Sequence, residues 1–162
     1  MSEEYITTGT ITGDVVFERA INMMDELNDA GEYSHEDTVE YRNRTLAILN
    51  ILQGELYFFS DTFPKWQEWE AGRRPVLRPI ESLYDTIDLD DYCAGTVMPY
   101  GLAAHLLLDE NPSSAGYFQQ RYEELLMKLR NGEGKLAASE DITDIYGPNG
   151  GLHPYNEFSR WA

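Results

Sequence analysis

The chain has 162 residues, 42% of them hydrophobic, and a net charge of −17 from 29 acids against 12 bases. That length suits one domain with an appended arm, and no apolar run approaches the ~18–20 residues that span a bilayer. So large an acid excess argues against broad phosphate binding, because affinity for nucleic acid comes largely from Lys and Arg.

The charge is unevenly spread. Residues 1–40 hold 11 acids and one base, residues 41–80 four acids and six bases, and residues 81–120 seven acids and no base. Two acidic blocks thus flank a mildly basic one. The plain reading is a solvated surface; the sharper one is a face that repels DNA or meets a basic partner. The start, Met-Ser-Glu-Glu-Tyr, lacks the basic and apolar stretches of a secretory signal. A single cysteine, Cys93, precludes an intrachain disulfide and fits a reducing compartment.

After ten irregular residues, Thr12 or Asp14 can cap a helix over 14–30. Phe17, Ile21 and Met24 lie on its apolar face, and Gly31 is a natural stop. Ser34 opens a second helix over 36–59, with Asp37 three residues on. Its stripe is Val39, Leu46, Leu49, Leu52, Leu56 and Phe59, widened by Ile48 and Ile51. Gly54 costs about 1 kcal/mol against Ala in a helix, which suggests a close crossing there.

Residues 60–87 break the pattern through Pro64, Gly72, Pro75 and Pro79. A long excursion of this kind is often functional. It leaves room for a short β-hairpin between residues 63–66 and Val76-Leu77, and it carries Trp66, Trp69, Arg73, Arg74 and Arg78.

A third helix is expected after Asp88 as cap, with Asp90 and Asp91 in its first turn. Pro99 falls in its interior and should kink or split it. Gly101, Ala103 and Ala104 are small enough for tight packing just beyond. Asn111-Pro112 then restarts a helix that ends near Arg130, with Phe118, Tyr122, Leu125 and Leu129 at helical spacing. Residues 131–162 are rich in Gly and Pro yet too aromatic for a solvated tail, which predicts an extended arm that docks. The fold class is therefore mainly α: about four helices in a bundle domain over 1–130, an excursion over 60–87, and a C-terminal arm over 131–162.

No grouping proposes catalysis. Gly147-Pro-Asn-Gly-Gly151 lacks the lysine and following helix of a phosphate loop. His35, His105 and His153 are far apart, and no Cys/His pair has zinc spacing. An EF-hand starting at Asp88 would put Cys93 sixth and Pro99 twelfth, where Gly and Glu are needed. Acids crowd Cys93 and oppose thiolate formation. No enzyme activity, metal or cofactor is expected.

Several segments in order carry a resemblance: Tyr41-Arg42 and Leu46-Ala-Ile-Leu-Asn-Ile-Leu52; Ile87-Asp-Leu-Asp-Asp91; Val97-Met-Pro-Tyr-Gly-Leu-Ala-Ala104 with Leu106-Leu-Leu-Asp-Glu110; Ala115-Gly-Tyr-Phe118 with Tyr122-Glu-Glu124; and Ile142-Thr-Asp-Ile-Tyr-Gly147 through Phe158-Ser-Arg-Trp161. Together they resemble the head–tail connector, or adaptor, family of tailed bacteriophages and prophages, over most of residues 15–161. The 66–74 segment is less familiar.

The resemblance implies a virion protein, made in the host cytoplasm and placed at the neck. It would form a ring, commonly of about twelve copies, between the portal and a stopper or tail-completion protein. Double-stranded DNA would pass through without specific binding, and no membrane is involved. On this reading the arm residues Tyr146, Leu152, Tyr155, Phe158 and Trp161 bind a partner, the portal or a neighbouring subunit, the alternative being that the arm packs back on its own domain. Trp66, Trp69, Arg73, Arg74, Gly101 and His105 are candidates for the subunit interface, and Asp85, Asp88, Asp90 and Asp91 for the channel wall. Rival readings are another phage assembly protein, such as a stopper, and an acidic DNA mimic that inhibits a nucleic-acid enzyme.

Overall fold

The computed structural model describes residues 9–24, 35–62 and 77–131, with side chains from Thr38 onward in the second of these stretches. All lie in the unit Met1–Asn131. The Ser34 cap, residues 25–30 of the first expected helix, the 63–66 hairpin strand, Trp66, Trp69, Arg73 and Arg74 fall outside the described residues. So do the arm residues Tyr146, Leu152, Tyr155, Phe158 and Trp161.

The architecture is mainly α. Its helices are α1 (Gly13–Met23), α2 (His35–Leu56), α3 (Met98–Leu107) and α4 (Pro112–Arg130), with a 3₁₀ turn at Tyr57–Phe59 and a π turn at Cys93–Val97. Among the described residues no strand forms; Thr12 and Thr86 make an isolated antiparallel bridge.

Thr12 is extended, and its hydroxyl accepts the Val15 amide at 3.4 Å, satisfying one of the donors a helix start leaves open. Beyond this cap Val16, Phe17, Ala20 and Ile21 turn inward. The Asp14 carboxylate pairs with Arg42 at 2.8 Å, and the same guanidinium lies 5.3 Å over the Phe17 ring, so α1 and α2 share one cation.

The buried face of α2 is Thr38, Tyr41, Thr45, Ile48, Leu49, Leu52 and Leu56. Val39 and Ile51, expected in the stripe, are exposed. The face drifts onto threonines because their hydroxyls can be satisfied locally: Thr45 donates to the Tyr41 carbonyl at 2.7 Å. Among the described residues Gly54 marks no close crossing. It is exposed, and among the described residues only Leu77 Cδ1, at 4.0 Å, comes near where its Cβ would be.

The third helix opens on Asp90 rather than Asp88. Asp90 Oδ1 accepts the Cys93 amide at 2.9 Å, while Asp88 is engaged with Arg78. Pro99 neither breaks nor splits the run. The register loosens one turn earlier instead: the Met98 amide reaches back five residues to the Cys93 carbonyl. Proline has no amide to offer the carbonyl four residues before it, Gly95. That carbonyl is taken by the Arg19 guanidinium from α1.

α3 is the hub, packed against α1, α2 and α4. Met98, Pro99, Gly101, Leu102, Ala103, Ala104, Leu106 and Leu107 are all buried, as a helix that is apolar all round must be. Each fully buried Leu contributes about 1.5–3 kcal/mol relative to exposure. A Cβ on Gly101 would lie 2.9 Å from Leu52 Cδ2 and 3.0 Å from the Tyr122 ring, so α2 and α4 both close onto α3 at this point. α4 follows its sequence signals: Asn111 Oδ1 accepts the Ser114 amide at 3.2 Å, Pro112 starts the helix, and Ala115, Phe118, Tyr122 and Leu125 are buried.

The acidic junction and candidate interface residues

The N-terminal end of α1, the C-terminal end of α2 and the entry to α3 meet at one end of the bundle. Two sets of hydrogen bonds show this. The Asp14 amide donates to Leu83 O at 2.7 Å and Ile87 N to Ile11 O at 2.9 Å. Beyond α2, Ser60 Oγ accepts the Asp90 amide at 2.9 Å and Thr62 donates to Asp88 O at 3.0 Å. Gly9 abuts Leu89 so closely that a Cβ there would collide with the Leu89 carbonyl.

The four candidate channel acids all gather at this junction, and each already holds a partner. Asp85 Oδ2 accepts the amides of Glu81 at 3.1 Å and Ser82 at 2.9 Å, fixing a turn. Asp88 takes Arg78 in a two-pronged pair at 2.9 and 3.1 Å. Both side chains are solvated, so this pair contributes about 0–1 kcal/mol. Asp90 caps the third helix and also accepts the Asp61 amide at 3.0 Å. Asp91 receives the Thr10 amide at 2.6 Å and the Thr10 hydroxyl at 2.7 Å. The Thr10 amide, then its hydroxyl, hold the Asp91 carboxyl below the ordinary carboxylate value. Asp85, Asp90 and Asp91 are therefore engaged by backbone donors, and Asp88 by the Arg78 side chain.

Of the candidate interface residues, Gly101 lies inside the bundle, buried against Leu52 and Tyr122 of its own chain, rather than on a surface open to a neighbour. His105, one turn on, is half-buried, and its carbonyl accepts Arg44 at 3.3 Å. Aromatic side chains instead stand out at the acidic end: Phe58 is 58% exposed, Tyr84 75% and Tyr92 40%. Helical periodicity does not single out Phe58 or Tyr84, which sit in turns; it sets Tyr92 on one face with Thr96, Tyr100, Ala103 and Leu107, expected to be buried, yet Tyr92 is exposed because it lies in the first turn of the helix, at the bundle's end.

Two further residues went unmarked by pattern. Asn50 pairs with Ile80 through both amide atoms, accepting Ile80 N at 2.8 Å and donating to Ile80 O at 3.0 Å. Gln53 donates to Arg78 O at 3.1 Å. These two polar groups, three residues apart on α2, clamp the returning end of the excursion. Their spacing within the apolar stretch from Leu46 to Leu52 and just beyond it is the sequence signal they leave.

Among the described residues no three of His, Cys, Asp and Glu are placed to hold a metal ion, and Cys93 is a buried thiol in no disulfide. Among the same residues no helix is long and apolar enough to cross a membrane. Compared with protein-family models, with curated proteins and with solved structures, the chain matches none.

Proposed function

We propose that this chain is a head–tail connector subunit: a virion protein that forms a ring, of about twelve copies, beneath the capsid portal and lines the DNA channel. It would present a platform to the stopper or tail-completion protein, with residues 131–162 reaching the portal. The observation that carries this reading is the exposure of three aromatic side chains, Phe58, Tyr84 and Tyr92, on the segments that meet at the acidic bundle end. Large apolar side chains held out on a rigid, hydrogen-bonded junction suit a contact with another chain. In a ring each copy offers two different surfaces, and such a heterologous contact closes by rotation. An acidic lumen would let DNA pass without adhering.

The segments that carry the family resemblance fit the roles a ring subunit needs. Val97 to Ala104 supplies the buried centre, and Ile87 and Leu89 anchor the junction. The DNA-mimic reading has less support, since Asp85, Asp88, Asp90 and Asp91 are spent on local donors rather than arrayed as free rows.

Light scattering with negative-stain imaging tests the proposal, on the full chain alone and with portal-bearing heads. A closed ring, or a ring capping the portal, is expected. A chain that stays monomeric in both settings and leaves heads uncapped overturns it.

A further inference from the structure

α2 turns a second apolar face outward. Val39, Asn43, Ala47, Ile51, Gly54 and, in the turn that follows, Phe58 are all exposed and lie on the side away from the buried face. None of the six is charged. Val39 is 46% exposed, and Ile51 and Phe58 are 58% exposed. α4 has an outer face of similar length, on which Tyr117 is 62% and Met127 64% exposed. We propose that these two faces bind one another between copies of the chain, with α2 of one copy lying antiparallel along α4 of the next. The inference deepens the ring reading and rests on it, because two different faces in contact make the heterologous joint that a ring needs.

Charge says what covers the α2 face. Arg19, Arg42, Arg44, Arg78 and Arg121 are each engaged within their own chain. Lys128 and Arg130 alone among the described bases make no hydrogen bond or ion pair, and they follow Met127 at the exposed end of α4. The acids of α4 are bonded elsewhere: Glu123 accepts Gln119, and Glu124 accepts Gln120 and Arg121. On α2, Glu40 is exposed beside Val39 and makes no hydrogen bond or ion pair among the described residues. Each face thus ends in an exposed apolar residue next to unspent charge, negative on α2 and positive on α4.

Setting Glu40 against Lys128 fixes the direction of the pairing. α2 has 22 residues and α4 has 19, so each runs about 30 Å at ~1.5 Å per residue. In the antiparallel arrangement, with Val39 on Met127, Ile51 lies about 18 Å along α2 and Tyr117 about 15 Å along α4, so these two side chains also meet. A parallel pairing would carry Glu40 away from both cations. Two glycines fit the contact. Among the described residues only Leu77 Cδ1, at 4.0 Å, comes near the place of a Cβ on Gly54, and nothing lies within 4 Å of one on Gly116. Glycine weakens a helix, and packing among the described residues requires neither of them. On facing surfaces both let the two backbones come close.

Light scattering of the full chain, together with capping of portal-bearing heads, tests the contact through Ile51→Glu and Tyr117→Glu. Both positions are exposed, so thermal melts should stay near wild type. Each variant alone should assemble at least about tenfold more weakly than wild type. An equimolar mixture keeps one intact α2 face and one intact α4 face, so it should form a dimer that grows no further. Lys128→Glu should weaken assembly about threefold at low salt, and adding Glu40→Lys to the same chain should restore it. Glu40 sits at the rim of the contact, where charge sets direction and rate more than holding strength. If wild type forms rings or caps heads and both glutamate variants do so equally well, the contact is wrong and the ring reading stands. A loss confined to one variant overturns the contact by pointing to a face that pairs with itself. So does a mixture that stays monomeric where wild type assembles in solution. If wild type assembles only on heads, the charge swap read by capping decides, and failure to restore capping overturns the contact. If wild type neither associates nor caps heads, the ring reading falls and the contact with it.

Discussion

The Arg19 guanidinium donates to the Gly95 carbonyl, the group that Pro99 leaves without its helical amide. A tertiary contact from α1 thus repairs a backbone defect in the central helix. Arg19→Met should cost about 1–2 kcal/mol by leaving that carbonyl unpaired. Pro99→Ala restores an amide, so in that background the cost of Arg19→Met should shrink. Denaturant melts of the two single variants and the double variant give the coupling directly. Equal costs in both backgrounds would break the link between Arg19 and Pro99.

Gly101 is held between Leu52 and the Tyr122 ring, with no room for a side chain. Gly101→Leu should overpack this contact and destabilise by about 1–3 kcal/mol. A thermal melt unchanged from wild type would remove Gly101 from the account of how α2, α3 and α4 meet.

What the sequence made legible was local, and what it hid was not. Asn111, Pro112, Lys128 and Arg130 punctuate α4 within a few residues of the bonds they make, so its limits could be read directly. The register of α2 departs from the apolar count at Val39, because that count overlooks Thr38 and Thr45, which are buried, Thr45 with its hydroxyl bonded to the Tyr41 carbonyl. The cap falls on Asp90 rather than on the expected Asp88, whose carboxylate is claimed by Arg78. The acids at the junction are visible as a cluster, but the carboxylate partners Thr10 and Asp61 are distant in sequence. Charge pattern alone could not tell structural acids from free ones.

The pH response of the junction follows from Asp91. Its folded pKa is depressed by Thr10, so its contribution is present above the ordinary carboxylate value and is lost as pH falls through the lower, folded value. The Thr10 amide resonance should therefore move in acid, below the range in which a free aspartate titrates. Asp91→Asn should abolish that transition. A Thr10 amide that titrates identically in the variant would assign the effect elsewhere.

Tyr122 gives the opposite sign. Burial first, and the Glu55 carboxylate that accepts its hydroxyl at 2.7 Å second, hold its phenol far above the ordinary value of 10.0. Its stabilising effect is complete below that ordinary value and is lost as pH rises, because the unfolded chain releases the proton first. Tyr122→Phe should lower neutral-pH stability by about 0.5–1.5 kcal/mol and flatten the alkaline decline. Parallel alkaline slopes in wild type and variant would refute this.

A test of the proposed channel should avoid the acids that hold backbone. Glu18, Glu40 and Asp109 are exposed and have no hydrogen bond or ion pair among the described residues. Changing all three to Lys should leave stability within about 0.5 kcal/mol per site and permit assembly, while slowing DNA passage from completed particles. Normal ejection would count against an acidic lumen built from these residues.

The bond between Thr10 and Asp91 closes a span of 81 residues, and that has a consequence for biosynthesis. At about 5–20 residues per second, the ribosome delivers Asp91 roughly 4–16 s after Thr10. Until then the segment leading into α1 lacks its bonds to residues 83–91, and Arg19 has no Gly95 to meet. The nascent chain therefore carries α1 without its central packing partner for seconds, with only α2 to meet it, and full burial of its apolar face waits on the appearance of the central helix.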